Sequence, residues 1–275
     1  MLNNTGFDQW ADEYDRSVAR SDAAGSYPFA GYQEILDAIV DRVTAHGGGA
    51  VLDIGFGTGT LTARLYAQGC RMYGQDFSER MVQLAQEKMP DAKLYSGDFK
   101  QGLVEPLRAQ RYDFILATYS LHHLTDAEKV PFLNGLLALL KEDGEILIGD
   151  VAFRTRVELE ACKTQAGASW DEDEIYFVAD ELAPAFPQLK FVPFSACAGI
   201  CRCVDSATVL RLLWRNERSG RAMPAPTNLI AVPTVNVGAT IGRPHFLRPI
   251  LFPLFPEKEK NRRGVRRSSL HSVFT

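Results

Sequence analysis

No stretch of the chain approaches the roughly 18–20 consecutive apolar residues that a membrane-spanning helix needs. The opening residues, MLNNTGFDQWADEYD, also lack the basic start and apolar centre of a secretory leader. A cytoplasmic protein with no membrane partner is therefore the expectation. Cysteine is sparse and odd in number, with five residues: Cys70, Cys162, Cys197, Cys201 and Cys203. The run CAGICRC reads either as a metal or redox site or as buried strand positions, where free cysteine serves as a small hydrophobe. Zinc asks for four ligands at matched spacing, and no second Cys/His pair lies nearby. The strand reading is preferred, and no metal is expected. Positive charge is also short in the body of the chain. Residues 1–205 hold 18 Lys and Arg against 31 Asp and Glu, whereas the last 70 residues hold 12 against 3. An acidic body does not offer the basic track that a phosphate backbone needs, so no nucleic-acid partner is expected.

What is present is the alternation of an α/β protein. The 275 residues have room for one large domain, alone or with an appendage. Apolar segments of helical spacing alternate with short β-branched runs, as in a parallel sheet covered by helices. One helix is expected in FDQWADEYDRSVA. A second has Tyr32, Ile35, Leu36, Ile39 and Val43 as its buried face, and Gly47, Gly48 and Gly49 stop it. The expected strands are AVLDI, RMYGQD, KLYSGD, YDFILAT and GEILIGDVAF. Helices are expected in TLTARLYAQ, SERMVQLAQEKM and TDAEKVPFLNGLLALL, with Pro131 in the first turns of the last, where a missing N–H is tolerated. WDEDEIYFVADELAPAF reads as an acidic helix start followed by an amphipathic run. LKFVPFSAC and GICRCV read as a hairpin closing around Ala198 and Gly199.

Three regions follow: an N-terminal helical lid at 1–46, a nucleotide-binding core at 47–205, and a proline-dotted basic tail at 206–275. The tail has no sustained period. It reads as a disordered or loosely docked appendage with its basic patch touching an acidic partner, or as sequence appended without regard to the fold, as by a frameshift or readthrough. The second reading is preferred, and no catalytic role is assigned to the tail.

The site is anchored on VLDIGFGTGTL. A G-x-G turn lets the backbone pass close to a ligand, and the helix after it offers unpaired N–H groups. A dinucleotide fingerprint would place its third glycine three positions after the second, whereas here Gly59 follows Gly57 by two and Thr60 stands in the fingerprint position. Asp53, two residues before Gly55, would repel a pyrophosphate but can accept hydrogen bonds from an amine. That favours a nucleoside bearing an amino acid. Asp76 ends the second strand, 21 residues after Gly55, where a carboxylate can take both ribose hydroxyls. Phe77 is placed to cover an adenine face, and Asp98, at the third strand tip, to accept the adenine amino group. Each acid has a plainer alternative. Asp76 and Asp98 sit where helix N-caps occur, and Asp53 can simply hold the turn.

VLDIGFGTG, GQDFS, SGDF and ATYSLHHL together resemble the motifs of class I S-adenosylmethionine-dependent methyltransferases. FDQWADEYD followed by YPFAGYQEIL resembles the small YrrT-like branch of putative bacterial methyltransferases. The resemblance covers roughly residues 6–205. It implies a Rossmann-like α/β fold with a seven-stranded, mostly parallel sheet and a final antiparallel strand. It also implies S-adenosyl-L-methionine as cofactor, with Gly55, Asp76 and Asp98 as contacts and Asp53 and Gly57 supporting the turn.

The fourth strand tip, ATYSLHHLTD, would face the methyl group. It lacks the Asn/Asp-Pro-Pro-Tyr stretch common among enzymes that methylate nucleic-acid and protein amines, so a small-molecule acceptor is expected. His122 or His123 is a candidate general base toward a hydroxyl, thiol or acidic carbon. The alternative packs one under the sheet edge and caps a helix with the other. Of the N-terminal aromatics, Tyr14 is the candidate lid contact to the sulfonium, and Trp10, Tyr27, Phe29 and Tyr32 are left as core. Two other functions stay open: a non-catalytic S-adenosylmethionine-binding protein, and a nicotinamide-dependent oxidoreductase, which Asp53 and the glycine spacing disfavour.

Overall fold

In the computed structural model, residues 16 and 18–204 are described. Trp10, Tyr14, most of the first expected helix and the tail beyond 205 lie outside them. Helix α1 (Tyr32–Ala45) leads into strand β1 (Ala50–Ile54), helix α2 (Thr60–Ala67), strand β2 (Arg71–Asp76), helix α3 (Glu79–Lys88) and strand β3 (Lys93–Ser96). Helix α4 (Glu105–Arg108), strand β4 (Tyr112–Thr118), helix α5 (Asp126–Leu137) and strand β5 (Leu140–Phe153) follow. The described chain ends with helix α6 (Arg156–Ala166), strand β6 (Phe177–Val178), helix α7 (Ala179–Leu182), strand β7 (Lys190–Pro193) and strand β8 (Ala198–Val204).

The strands form one sheet in the order β3-β2-β1-β4-β5-β8-β7, and the two-residue β6 extends β5 off this path. Neighbours from β3 through β5 pair in parallel, while β8 runs antiparallel to both β5 and β7. The expected single reversed strand is therefore present, and it lies inside the sheet. Strands β1 and β4 bury nearly every residue, as parallel strands covered on both faces must. Alternate residues supply two apolar layers. Val51, Phe114, Leu116 and Leu147 pack with α1, α2 and α6. Leu52, Ile115, Ile146 and Ile148 pack with α4, α5 and α7.

Helix α1, read from sequence as part of a lid, packs its buried face into this core, with Ile35 lying over Gly149. Pro131 is the sixth residue of α5, past the first turn, so it forfeits the bond to the Ala127 carbonyl. The helix is compensated at its start, where Thr125 and Glu128 close a capping box. The acidic segment 170–176 is not helical, and only Ala179–Leu182 is. The hairpin turn falls at 194–197, just before the predicted pair. All five cysteines are buried as thiols, and Cys201 and Cys203 share one face of β8 in the core.

Candidate active site

The ends of β1, β2 and β3 stand side by side at the carboxyl edge of the sheet, where open α/β sheets bind ligands. After β1 the chain turns through Gly55 (φ 69°), Gly57 (φ 57°) and Gly59 (φ 80°) before α2 begins. At Gly55 the left-handed backbone is enforced by crowding, because a Cβ there would lie 2.4 Å from Ser120 Cβ. Ser120 Oγ donates to the Ile54 carbonyl at 2.7 Å, tying the fourth strand tip to the turn.

Asp76 braces the same turn from β2. Its Oδ2 accepts from Gly57 N at 2.8 Å and its Oδ1 from Ser78 N at 2.9 Å, and Ser78 caps α3. Asp98 is a cap as well, accepting from Lys100 N at 2.9 Å. Cap and cleft wall turn out to be compatible roles. Gly55, Gly57, Asp76, Phe77 and Asp98 all line one cleft of about 400 Å³.

Asp53 is not on that wall. It is completely buried at the foot of the turn, with Oδ2 accepting from Thr62 Oγ1 at 2.6 Å and Oδ1 meeting no hydrogen-bond partner among the described residues. Burial drives its pKa up to about 7, against the pull of the Thr62 bond, and the charge of Asp76 adds to the rise.

The other end of the cleft is built on the turn after β4. Tyr119 takes a left-handed φ of 49° and packs its ring against Phe29 and Tyr32 at 5.1 and 5.2 Å. A bulky residue held there is an outlier of the kind that gathers at functional sites. Phe29, left as core in the sequence reading, reaches the cleft from the N-terminal side together with Pro28.

His122 and His123 follow on a single 3₁₀ turn, and both line the cleft. His122 Nδ1 lies 2.7 Å from Asp150 Oδ1, and its Nε2 is 3.4 Å from Glu174 Oε1. Burial alone would lower the pKa of His122, but these two carboxylates outweigh it and leave it raised. His123 packs edge-on at 4.4 Å between ring centres, and burial with its charged neighbour takes it down to about 4.

Glu174 arrives on the loop 170–176, which is pinned from two sides. Ile175 N donates to the His122 carbonyl at 2.8 Å, while the buried Lys129 Nζ donates to the carbonyls of Ile175 (2.6 Å) and Tyr176 (3.3 Å). Tyr176 OH donates to Glu174 Oε2 at 2.7 Å and is hydrogen-bonded in turn to Tyr27 OH. Burial raises the pKa of Glu174. Sequence reading missed Asp150, Glu174 and Ser120. An acid inside the apolar run ILIGDVAF was the available signal for Asp150, since a buried charge in a strand asks for a partner.

A methyltransferase-domain family profile matches residues 51–144. An uncharacterized methyltransferase of Geobacillus thermodenitrificans is 38% identical over 193 residues, covering 67% of this chain and 86% of the relative. One from Geobacillus sp. strain WCH70 is 38% identical over 177 residues, covering 64% and 78%. The chain belongs to the class I S-adenosylmethionine-dependent methyltransferases. The magnesium protoporphyrin IX methyltransferase of Synechocystis, solved with bound S-adenosylhomocysteine, shares the methyltransferase's fold at 22% identity. Its TM-score is 0.55, and the match covers 74% of this chain and 96% of that one. The methyltransferase uses S-adenosylmethionine as its cofactor. The nicotinamide-dependent and non-catalytic readings find no support among these relatives. Among the described residues of the methyltransferase, no helix is long and apolar enough to cross a membrane.

Proposed function

We propose that this methyltransferase transfers a methyl group to a small-molecule nucleophile, with the cofactor lying along Gly55, Asp76 and Asp98 and the acceptor against His122. The observation that carries this reading is the continuity of the cleft, whose lining runs from the glycine turn to His122 and Glu174. Its volume, about 400 Å³, lies within the range of small-molecule sites.

The residues fit the cofactor. Asp76 accepts from Gly57 N and Ser78 N and stands on the cleft wall at the end of β2, where a carboxylate would meet the ribose hydroxyls. Phe77, Met81 and Phe99 supply apolar surface for a flat base beside Asp98. Asp53 supports the turn through Thr62, and because its Oδ1 is sealed beneath the turn, contact with the ligand's amine would require the turn to open. When bound, the cofactor supplies an electrophilic methyl group on a sulfonium. The chain's share is to align the nucleophile for in-line attack and to keep water out.

His122 is the side chain assigned to the acceptor's proton. Asp150 fixes its ring through Nδ1, which leaves Nε2 on the cleft side to work as a base, and Asp150 with Glu174 would stabilise the imidazolium that forms. His123 is assigned to shaping the pocket. Among the described residues, those lining the cleft fall between Pro28 and Glu174, and the last strand ends at Val204. These limits support a transferase unit of residues 47–205 with an N-terminal cover.

The test is release of S-adenosylhomocysteine when protein saturated with S-adenosylmethionine is given fractionated metabolite extract. Release that follows one fraction, and that falls at least about 100-fold in His122→Asn, supports the reading. Binding of both sulfur nucleosides without release from any fraction would favour a binding role instead.

A further inference from the structure

We infer that His122, His123 and Glu174 form a site for one divalent transition-metal ion at the acceptor end of the cleft, a site that the sequence reading, expecting no metal, did not anticipate. The inference rests on the reading of this end as the acceptor end.

The donor set comes first. Each of the three residues offers one ligand atom, and these atoms lie within 4.8 Å of one another. Bonds of about 2.1 Å in a tetrahedron set ligand atoms about 3.4 Å apart, so the widest pair has up to about 1.4 Å to close, a movement within reach of side-chain rotation. The separation of His122 Nε2 and Glu174 Oε1, 3.4 Å, is long for a charge-assisted hydrogen bond. It is also the edge of a tetrahedron drawn with bonds of about 2.1 Å.

The supporting groups point the same way. Asp150 holds His122 through Nδ1 at 2.7 Å, the carboxylate–histidine arrangement that orients an imidazole to ligate through Nε2. Tyr176 OH holds the second oxygen of Glu174 at 2.7 Å, leaving Oε1 toward the histidine pair. Two of the three ligands are thus already fixed by outer partners. His123 packs beside His122 with ring centres 4.4 Å apart, so a shared ion would join the two imidazoles and Glu174.

Charge agrees as well. Asp171 and Asp173 join Glu174 in lining the cleft, and these acids outnumber the opposing Lys100 in the lining and the buried Lys129 behind His122. Two imidazoles and a carboxylate suit the zinc-to-iron group of divalent ions better than magnesium or calcium, which prefer all-oxygen shells. The three ligands leave positions on the ion open, and the cleft supplies the room for an acceptor oxygen or nitrogen. Ion and proton compete for the same Nε2 lone pair. In the loaded protein His122 would hold the ion, which would polarise the acceptor and lower its pKa so that its proton passes to solvent; the base role of Nε2 belongs to the metal-free protein.

The experiment uses the full chain stripped with chelator and titrated with Co²⁺, followed by visible absorption, with Zn²⁺ as competitor. One Co²⁺ per chain, with d–d bands that Zn²⁺ abolishes, is expected. Glu174→Gln and His123→Gln should each weaken binding at least about 10-fold, and Asp150→Asn about 10- to 100-fold. S-adenosylhomocysteine binding, measured on the same variants, should stay intact and so verify folding. Absence of saturable bands, or bands equally strong in Glu174→Gln and His123→Gln, would overturn the site. In that event intact S-adenosylhomocysteine binding would leave the transferase reading standing with His122 as base. Loss of nucleoside binding by the unaltered protein would instead sink the transferase reading.

Discussion

A Cβ placed on Gly55 would come within 2.4 Å of Ser120 Cβ, so the glycine turn after β1 and the tip of β4 are fitted to each other without room for a methyl group. Gly55 also sits at a φ of 69°, where an L side chain costs about 1–2 kcal/mol by itself. Gly55→Ala is expected to lower stability by about 2–3 kcal/mol. It should also weaken S-adenosylhomocysteine at least about 10-fold, as the turn is pushed into the cleft. Adding Ser120→Gly should recover part of the loss, because it removes the collision but not the backbone strain. Chemical denaturation and calorimetry on the three variants measure this; a neutral Gly55→Ala would mean that the turn adapts freely.

Asp76 faces two tasks at once, holding Gly57 N at 2.8 Å and lining the cleft at the end of β2. Asp76→Ala is expected to cost about 1.5–3 kcal/mol in cofactor binding, the range for hydrogen bonds to a charged group. Asp76→Asn can keep only one of the Gly57 and Ser78 bonds, so it should lose some stability, less than Asp76→Ala does, together with part of the affinity. Equal affinity in Asp76→Ala and the unaltered protein would remove Asp76 from the site.

The strands β1 and β4 were legible to the residue because central parallel strands are largely apolar runs that break sharply, here at Gly55 and after Thr118, while the more polar β2 was bounded by Gly69 and Asp76. Asp76 and Asp98 were legible for the same reason, since strand tips mark the ligand edge. The loop 170–176 was misread because its acids imitate a helix start. What decides its path is tertiary: Lys129 and the His122 carbonyl, both far away in sequence, take its backbone groups. Glu174 therefore joins the histidines from 51 residues further along, and no local pattern announces it. Asp53 was found by position, but its complete burial depends on α2 and Thr62 folding over it.

Glu145, buried in β5, accepts from Arg42 Nε and Arg202 Nε at 2.9 Å each, joining α1 and β8 to the middle of the sheet. Burial alone would raise its pKa, but the two guanidiniums outweigh it and leave it lowered. A depressed carboxylate contributes stability above its unfolded value, here 4.5, and that stability is lost as pH falls through the folded value. Glu145→Gln should therefore be less stable at pH 7, by about 1–3 kcal/mol because both arginines are partly exposed. It should converge with the unaltered protein in acid. Denaturation midpoints compared from pH 7 to pH 3 test this, and a gap that stays constant would count against the pair.

Asp53 has the opposite sign. Its folded pKa of about 7 stands above the ordinary value of 3.8, because burial without a partner for Oδ1 disfavours the charge. Below the unfolded value the acid is protonated in both states, and its contribution to stability is fully present. As pH rises toward 7 the unfolded chain ionises first, so that contribution is lost across the window. Asn at this position can still accept from Thr62 and never ionises. Asp53→Asn should thus match the unaltered protein near pH 4 and exceed it progressively up to pH 7, by at most about 4 kcal/mol. The same acid makes a second demand on the ligand. If Oδ1 receives the amine of S-adenosylhomocysteine, the added positive charge pulls the pKa of Asp53 down and binding expels a proton between pH 6 and 7. Calorimetry in two buffers of different ionisation enthalpy detects that proton, and Asp53→Asn should abolish it. Proton release unchanged in Asp53→Asn would assign Asp53 to the turn alone.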